Sequence, residues 1–227
     1  MRTKKIQNFI TRFILDRSQL LKIEELDLSS QAKNVFDDIY YNGVLQAEGQ
    51  FIDYRSSYPV YQFLNYMIEN KDLLVHGSNN SLIERFEPKE STLFNGRPVK
   101  AVFASSDGVW SLFFAVKNRR LYSDSNKSLR NLCYTVPAKK GIRRYYYFSI
   151  NNEDMLDIWT KGTIYFFFKN SFIHGGIRDE WVCKETVRPI AKLSVKPADF
   201  PFLEKTSKHA ETDSMIKTLL KAFFIKK

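Results

Sequence analysis

The sequence predicts an α+β protein in which helices gather at the two ends and strands fill the middle. Three observations predict it. Apolar residues recur at helical spacing in segments between Ile6 and Asp72, short β-branched and aromatic runs bounded by turn residues begin at Leu73, and helical spacing returns after Asp213. The expected division is a helical N-terminal region over 1–72 packed on the core, an α+β domain over 73–205, and a basic amphipathic C-terminal helix over 206–227.

Ile6, Phe9, Ile10, Phe13 and Ile14 form one helical stripe, with Arg2, Lys4, Lys5, Arg12 and Arg17 around it. The expectation is a helix that packs this stripe on the body, with membrane-surface or nucleic-acid contact as the alternative. The segment lacks the long apolar core and small-residue cleavage site of a secretory signal. A second helix starts near Ser29 or Ser30, whose hydroxyls suit an N-cap, and carries Val35, Phe36, Ile39 and Tyr40 on one face. Ser57 and Pro59 announce a third, with Val60, Phe63, Leu64 and Met67 at helical spacing and Glu69 to Asp72 closing it.

Strands are expected at Leu73–His76, Val99–Ala104, Arg144–Ile150, Thr163–Lys169, Glu180–Lys184 and Ala191–Val195. A short helix is expected around Leu82–Phe86 and a longer one over Val109–Lys117, capped by Asp107. The tail places Met215, Ile216, Leu219, Leu220, Phe223 and Phe224 against Lys217, Lys221, Lys226 and Lys227, with Thr212 and Asp213 as its cap.

With 44% hydrophobic and 26% charged residues, and no apolar run near the roughly 20 residues of a membrane span, the chain reads as soluble. Cys133 and Cys183 are too few for a disulfide framework, which fits a reducing, cytoplasmic setting. His76, His174 and His209 are scattered, so no metal is expected. The formal net charge of +10 favours encounters with polyanions such as nucleic acid.

Three islands carry the chemistry. The first is the apolar run ending in His76-Gly77-Ser78. The second is Phe103-Ala104 followed by the helix bearing Trp110 and Phe113. The third is Asp179-Glu180-Trp181-Val182. Asp179 and Glu180 point to opposite faces of a strand, so one faces a pocket and the other the surface. Taken in this order, the islands resemble the ADP-ribosyltransferase family, in the branch that includes the poly-ADP-ribose polymerases. The resemblance covers these islands and nothing between them.

It implies a split β-sheet core and NAD as substrate. It also implies mono-ADP-ribosyl transfer to a protein or nucleic-acid acceptor. His76 matches the histidine that bonds the nicotinamide ribose. Gly77 matches the residue whose backbone amide and carbonyl hold the carboxamide, with Ser78 in support. Glu180 matches the glutamate that engages the ribose hydroxyl and offsets the positive charge developing on the sugar. Phe103, Trp110 and Phe113 complete the implied NAD-binding set. Val102 stands where the family carries a tyrosine before its Phe-Ala. The spacing also resembles the RNA 2'-phosphotransferases of the same fold. A non-catalytic module on a degraded version of this fold, binding protein or nucleic acid through its basic terminal helices, is a further alternative.

Overall fold

The computed structural model describes residues 2–118, 131–151, 158–177, 179–209, 220 and 223. In chain order the elements are α1 (Arg2–Arg17), β1 (Leu21–Ile23), α2 (Ser30–Asp38), α3 (Val60–Asn70), β2 (Leu73–Ser78), β3 (Lys89–Thr92), β4 (Pro98–Ser105) and α4 (Gly108–Val116). They continue with β5 (Leu132–Pro137), β6 (Ile142–Tyr147), β7 (Ser149–Asn151), β8 (Gly162–Phe168), β9 (Ile173–His174), β10 (Glu180–Cys183), β11 (Ala191–Val195) and β12 (Ser207–His209). This is a mixed α+β protein with antiparallel sheets. It divides into two compact units. The smaller comprises Met1–Leu26, Arg120–Ile158 and Phe202–Lys227; the larger comprises Asp27–Arg119 and Trp159–Pro201. The 1–72 stretch is therefore shared, with α1 in the smaller unit and α2 and α3 in the larger.

The larger unit is a seven-stranded sheet of order β11-β8-β2-β4-β10-β9, with β3 paired to the first half of β4. Helices cover one face. In α2, the Ser29 hydroxyl accepts from the Ala32 amide at 3.1 Å and supplies the cap its sequence announces. Phe36 is fully buried against Tyr58, Phe63 and Tyr66. From α3, Phe63 reaches Phe166 on β8. Asp107 caps α4 by accepting from the Trp110 amide at 2.8 Å. Where α4 crosses the sheet, glycines let backbone meet backbone: a Cβ on Gly77 would overlap the Ser111 carbonyl oxygen, and one on Gly162 that of Ala115. The opposite face holds Leu74, Val102, Ala104, Tyr165, Phe167, Phe172 and Cys183, covered by Ile83, Phe86, Trp181 and Val187.

The smaller unit pairs β1-β6-β5 in one antiparallel sheet and β7 with β12 in parallel. Leu15, Leu20, Val136, Tyr145 and Tyr147 form its cluster, with Leu132 and Phe223 against it. Asp16 accepts from the Tyr145 hydroxyl at 2.9 Å and pairs with Arg143 at 2.8 Å and Lys22 at 3.4 Å. Burial works to raise the Asp16 carboxyl, but the Tyr145 hydroxyl, Arg143 and Lys22 together hold it below its ordinary value. Burial, reinforced by Asp16, pushes the Tyr145 phenol up to about 12.

Several expectations need correction. Residues 82–86 form no helix: the Asn80 side chain takes the Leu82 amide, the Tyr165 hydroxyl takes that of Ile83, and Phe86 bridges to Val187. The strand expected at Arg144–Ile150 breaks at Phe148 into β6 and β7, both in the smaller unit. The stripe of α1 does not pack inward. Leu15 anchors the helix, while Ile6, Phe9, Ile10, Phe13 and Ile14 are each at least 50% exposed. The C-terminal helix and its cap at Thr212 and Asp213 lie outside the described residues except for Leu220 and Phe223.

Candidate functional site

The three islands, separated by up to about a hundred residues of sequence, fold onto adjacent strands, for β2, β4 and β10 are consecutive in the sheet of the larger unit. Among the described residues, β2 and β4 pair only at Val75↔Ser105, and there the sheet parts.

Alternation shows what the parting exposes. The Lys169 amide donates to the Asp72 carbonyl at 3.0 Å in register with the β2–β8 ladder, so Asp72, Leu74, His76 and Ser78 bond towards β8. Leu73, Val75 and Gly77 therefore direct their backbone groups towards β4. On β4, the Ser106 amide bonds the Asp179 carbonyl at 3.2 Å, which turns the backbone of Phe103 and Ser105 towards β2. A continued ladder would join Gly77 to Phe103. Instead the His76 ring takes the Phe103 carbonyl at 2.9 Å, an oxygen acceptor that makes Nδ1 the donor. Alternation thus directs the amide and carbonyl of Gly77, itself buried, towards β4, next to the half-buried imidazole.

The ring of His76 also meets Phe86 edge-on at 5.0 Å, and Phe86 meets Tyr165 at the same distance. Tyr165, directly across from His76, donates to the Asn80 carbonyl at 2.5 Å and accepts from the Ile83 amide at 3.3 Å. Burial pushes its phenol above the ordinary value. Ser78 is committed to a turn, its hydroxyl accepting from the Asn80 amide at 3.1 Å. Asn79 donates to the Ala115 carbonyl at 2.6 Å, tying this turn to α4.

The remaining site residues are distributed around this centre. Phe103 lends its carbonyl and pairs with Val182. Trp110 is half-buried and meets Phe114 edge-on at 5.0 Å. Phe113 is fully buried against Phe114, Trp159 and Phe200, so its ring offers no open stacking face. Val102 is buried in the core cluster.

Glu180 stands opposite Ser105, itself opposite Val75. Alternation therefore sets Glu180 on the helix-covered face, while Trp181 and Ala104 share the face of His76. The Glu180 carboxylate accepts from the Gly176 amide at 2.6 Å and the Phe94 amide at 3.1 Å. Asp179 falls on the Trp181 side, where the Ser106 hydroxyl donates to it at 3.3 Å and accepts from the Trp181 indole at 3.2 Å. Sequence reasoning passed over Phe94, Ser106, Tyr165 and the Gly175-Gly176 pair. Only the glycine pair carried a local signal, a close backbone approach, and Glu180 fills it: a Cβ on Gly175 would lie 2.7 Å from the Glu180 side chain.

No family model, curated protein or solved structure matches the chain.

Proposed function

We propose that the chain is an NAD-dependent mono-ADP-ribosyltransferase whose pocket is the parting of β2 and β4. One observation carries the reading. The three sequence islands that resemble the family occupy adjacent strands, and the sheet opens at the glycine the resemblance assigns to the nicotinamide carboxamide. The fit to NAD is partial. The Gly77 amide and carbonyl suit a carboxamide, whereas buried Val102 and Phe113 supply no stacking face.

When bound, NAD supplies an ADP-ribosyl group joined to nicotinamide through an N-glycosidic bond. That bond breaks with its electron pair leaving on nicotinamide, the acceptor nucleophile bonds the same ribose carbon, and the acceptor proton passes to solvent. Gly77 orients the leaving group. The resemblance assigns the ribose to His76, whose ring is held by the Phe103 carbonyl. The resemblance assigns the sugar to Glu180, whose carboxylate in this structure is held by the Gly176 and Phe94 amides on the face opposite His76.

A second reading, a binding module without turnover, is favoured by the position of Glu180: its carboxylate is occupied by two backbone amides on the face opposite His76. Nicotinamide release and NAD affinity, measured for wild type and Glu180→Gln with protein and RNA acceptors, separate the two. For the enzyme, the variant loses about 10²–10³ in rate with affinity nearly unchanged, because the charge it offsets develops only in the transition state. NAD binding without release supports the module. Absence of NAD binding overturns the enzyme and leaves the module.

A further inference from the structure

Helix α1 is mounted with its apolar side outwards. At 100° per residue, Asn8, Thr11 and Leu15 lie on the side opposite the Ile6, Phe9, Ile10, Phe13 and Ile14 stripe. Leu15 is buried in the cluster of the smaller unit, and Asn8 and Thr11 are half-buried. The five apolar side chains of the stripe are 50–60% exposed. A contiguous apolar strip of this kind, facing solvent from Ile6 to Ile14, marks an interaction surface.

The charges around it select the occupant. The helix carries Arg2, Lys4, Lys5, Arg12 and Arg17 against one acid, Asp16, which is already paired with Arg143 and Lys22. The Arg17 guanidinium lies 3.4 Å from the Phe13 ring centre and that of Arg12 lies 6.0 Å from Phe9, so cations stand directly beside the aromatics. A second copy of this helix would bring five cations against five. A nucleic acid would satisfy the cations and leave the isoleucines wet. An anionic lipid surface meets both needs, with acyl chains for the stripe and headgroups for the cations. The 16 residues of α1 extend about 24 Å, less than the roughly 30 Å of a bilayer core. No helix among the described residues is long and apolar enough to cross a membrane.

We propose that α1 lies flat in the interface of an anionic phospholipid membrane, its Ile/Phe stripe among the acyl chains and its cations at the headgroups. This proposal is independent of the NAD reading. The test is flotation of the full chain with vesicles of phosphatidylcholine alone and of phosphatidylcholine mixed with phosphatidylglycerol, across a salt series. The expected result is binding to the mixed vesicles only, weakening as salt rises. The double variant Phe9→Glu/Phe13→Glu, altered at exposed sites, should keep the wild-type melting temperature and bind about 100-fold more weakly. Arg17→Gln, at the cation beside Phe13, should weaken binding about fivefold. Equal binding to neutral vesicles, no binding to either, or undiminished binding by the double variant would overturn the proposal. So would a double variant that abolishes self-association of a chain indifferent to vesicles, since a second copy would then cover the stripe.

Discussion

Replacing Gly77 with alanine tests how α4 sits on the sheet. The added Cβ would overlap the Ser111 carbonyl oxygen and come within 2.9 Å of the Ala115 amide nitrogen, both backbone atoms that cannot rotate away. Relief requires α4 to lift from β2, an overpacking that costs about 1–3 kcal/mol, and two backbone clashes put Gly77→Ala at the upper end. For a chain of this size each kcal/mol lowers the melting temperature by about 2–4 °C, so the expected fall is about 6–12 °C. Gly43→Ala is the control, because a Cβ there would meet nothing closer than 3.8 Å. Tryptophan fluorescence is the assay: Trp110, Trp159 and Trp181 are the only tryptophans and all lie in the larger unit. A Gly77→Ala protein melting with wild type, or no lower than Gly43→Ala, would refute the backbone contact between α4 and β2.

Asp107→Ala should remove the acceptor for the Trp110 amide and cost about 1 kcal/mol, with Asp107→Asn retaining most of the stability; the same fluorescence melt reads both. In the smaller unit, the depressed Asp16 carboxyl contributes stability that is present above its ordinary value of 3.8 and is lost as the pH falls below it. The urea midpoint followed by circular dichroism should therefore fall more steeply below that pH in wild type than in Asp16→Asn. The raised Tyr145 phenol contributes stability present below pH 10 and lost as the pH rises towards about 12. The urea midpoint followed by circular dichroism should fall less steeply over that window in Tyr145→Phe.

Helices α2, α3 and α4 were legible because Ser29, Pro59 and Asp107 mark their starts and their apolar spacing is helical. Strands β2, β4, β8, β10 and β11 were legible as β-branched and aromatic runs. In β3, Lys89 to Thr92 are all exposed, so no alternation betrays the strand. Leu82, Ile83 and Phe86 show helical spacing, but the distant Tyr165 hydroxyl and Val187 claim their backbone. The smaller unit draws on three separate segments, and no change of composition marks the boundaries at Leu26, Ile158 or Pro201. At the site, His76, Gly77 and Glu180 could be named from local pattern. The Phe94 and Gly176 amides on Glu180 and the closure of Phe113 depend on contacts made only after folding.

The most direct test of the NAD reading is a crystal structure of the full chain grown with NAD. The expected density places the nicotinamide carboxamide on the Gly77 amide and carbonyl in the parting of β2 and β4, with the ribose beside His76 and the Glu180 carboxylate freed from the Gly176 and Phe94 amides. A saturated crystal in which the parting stays empty and Glu180 keeps both amides would contradict it.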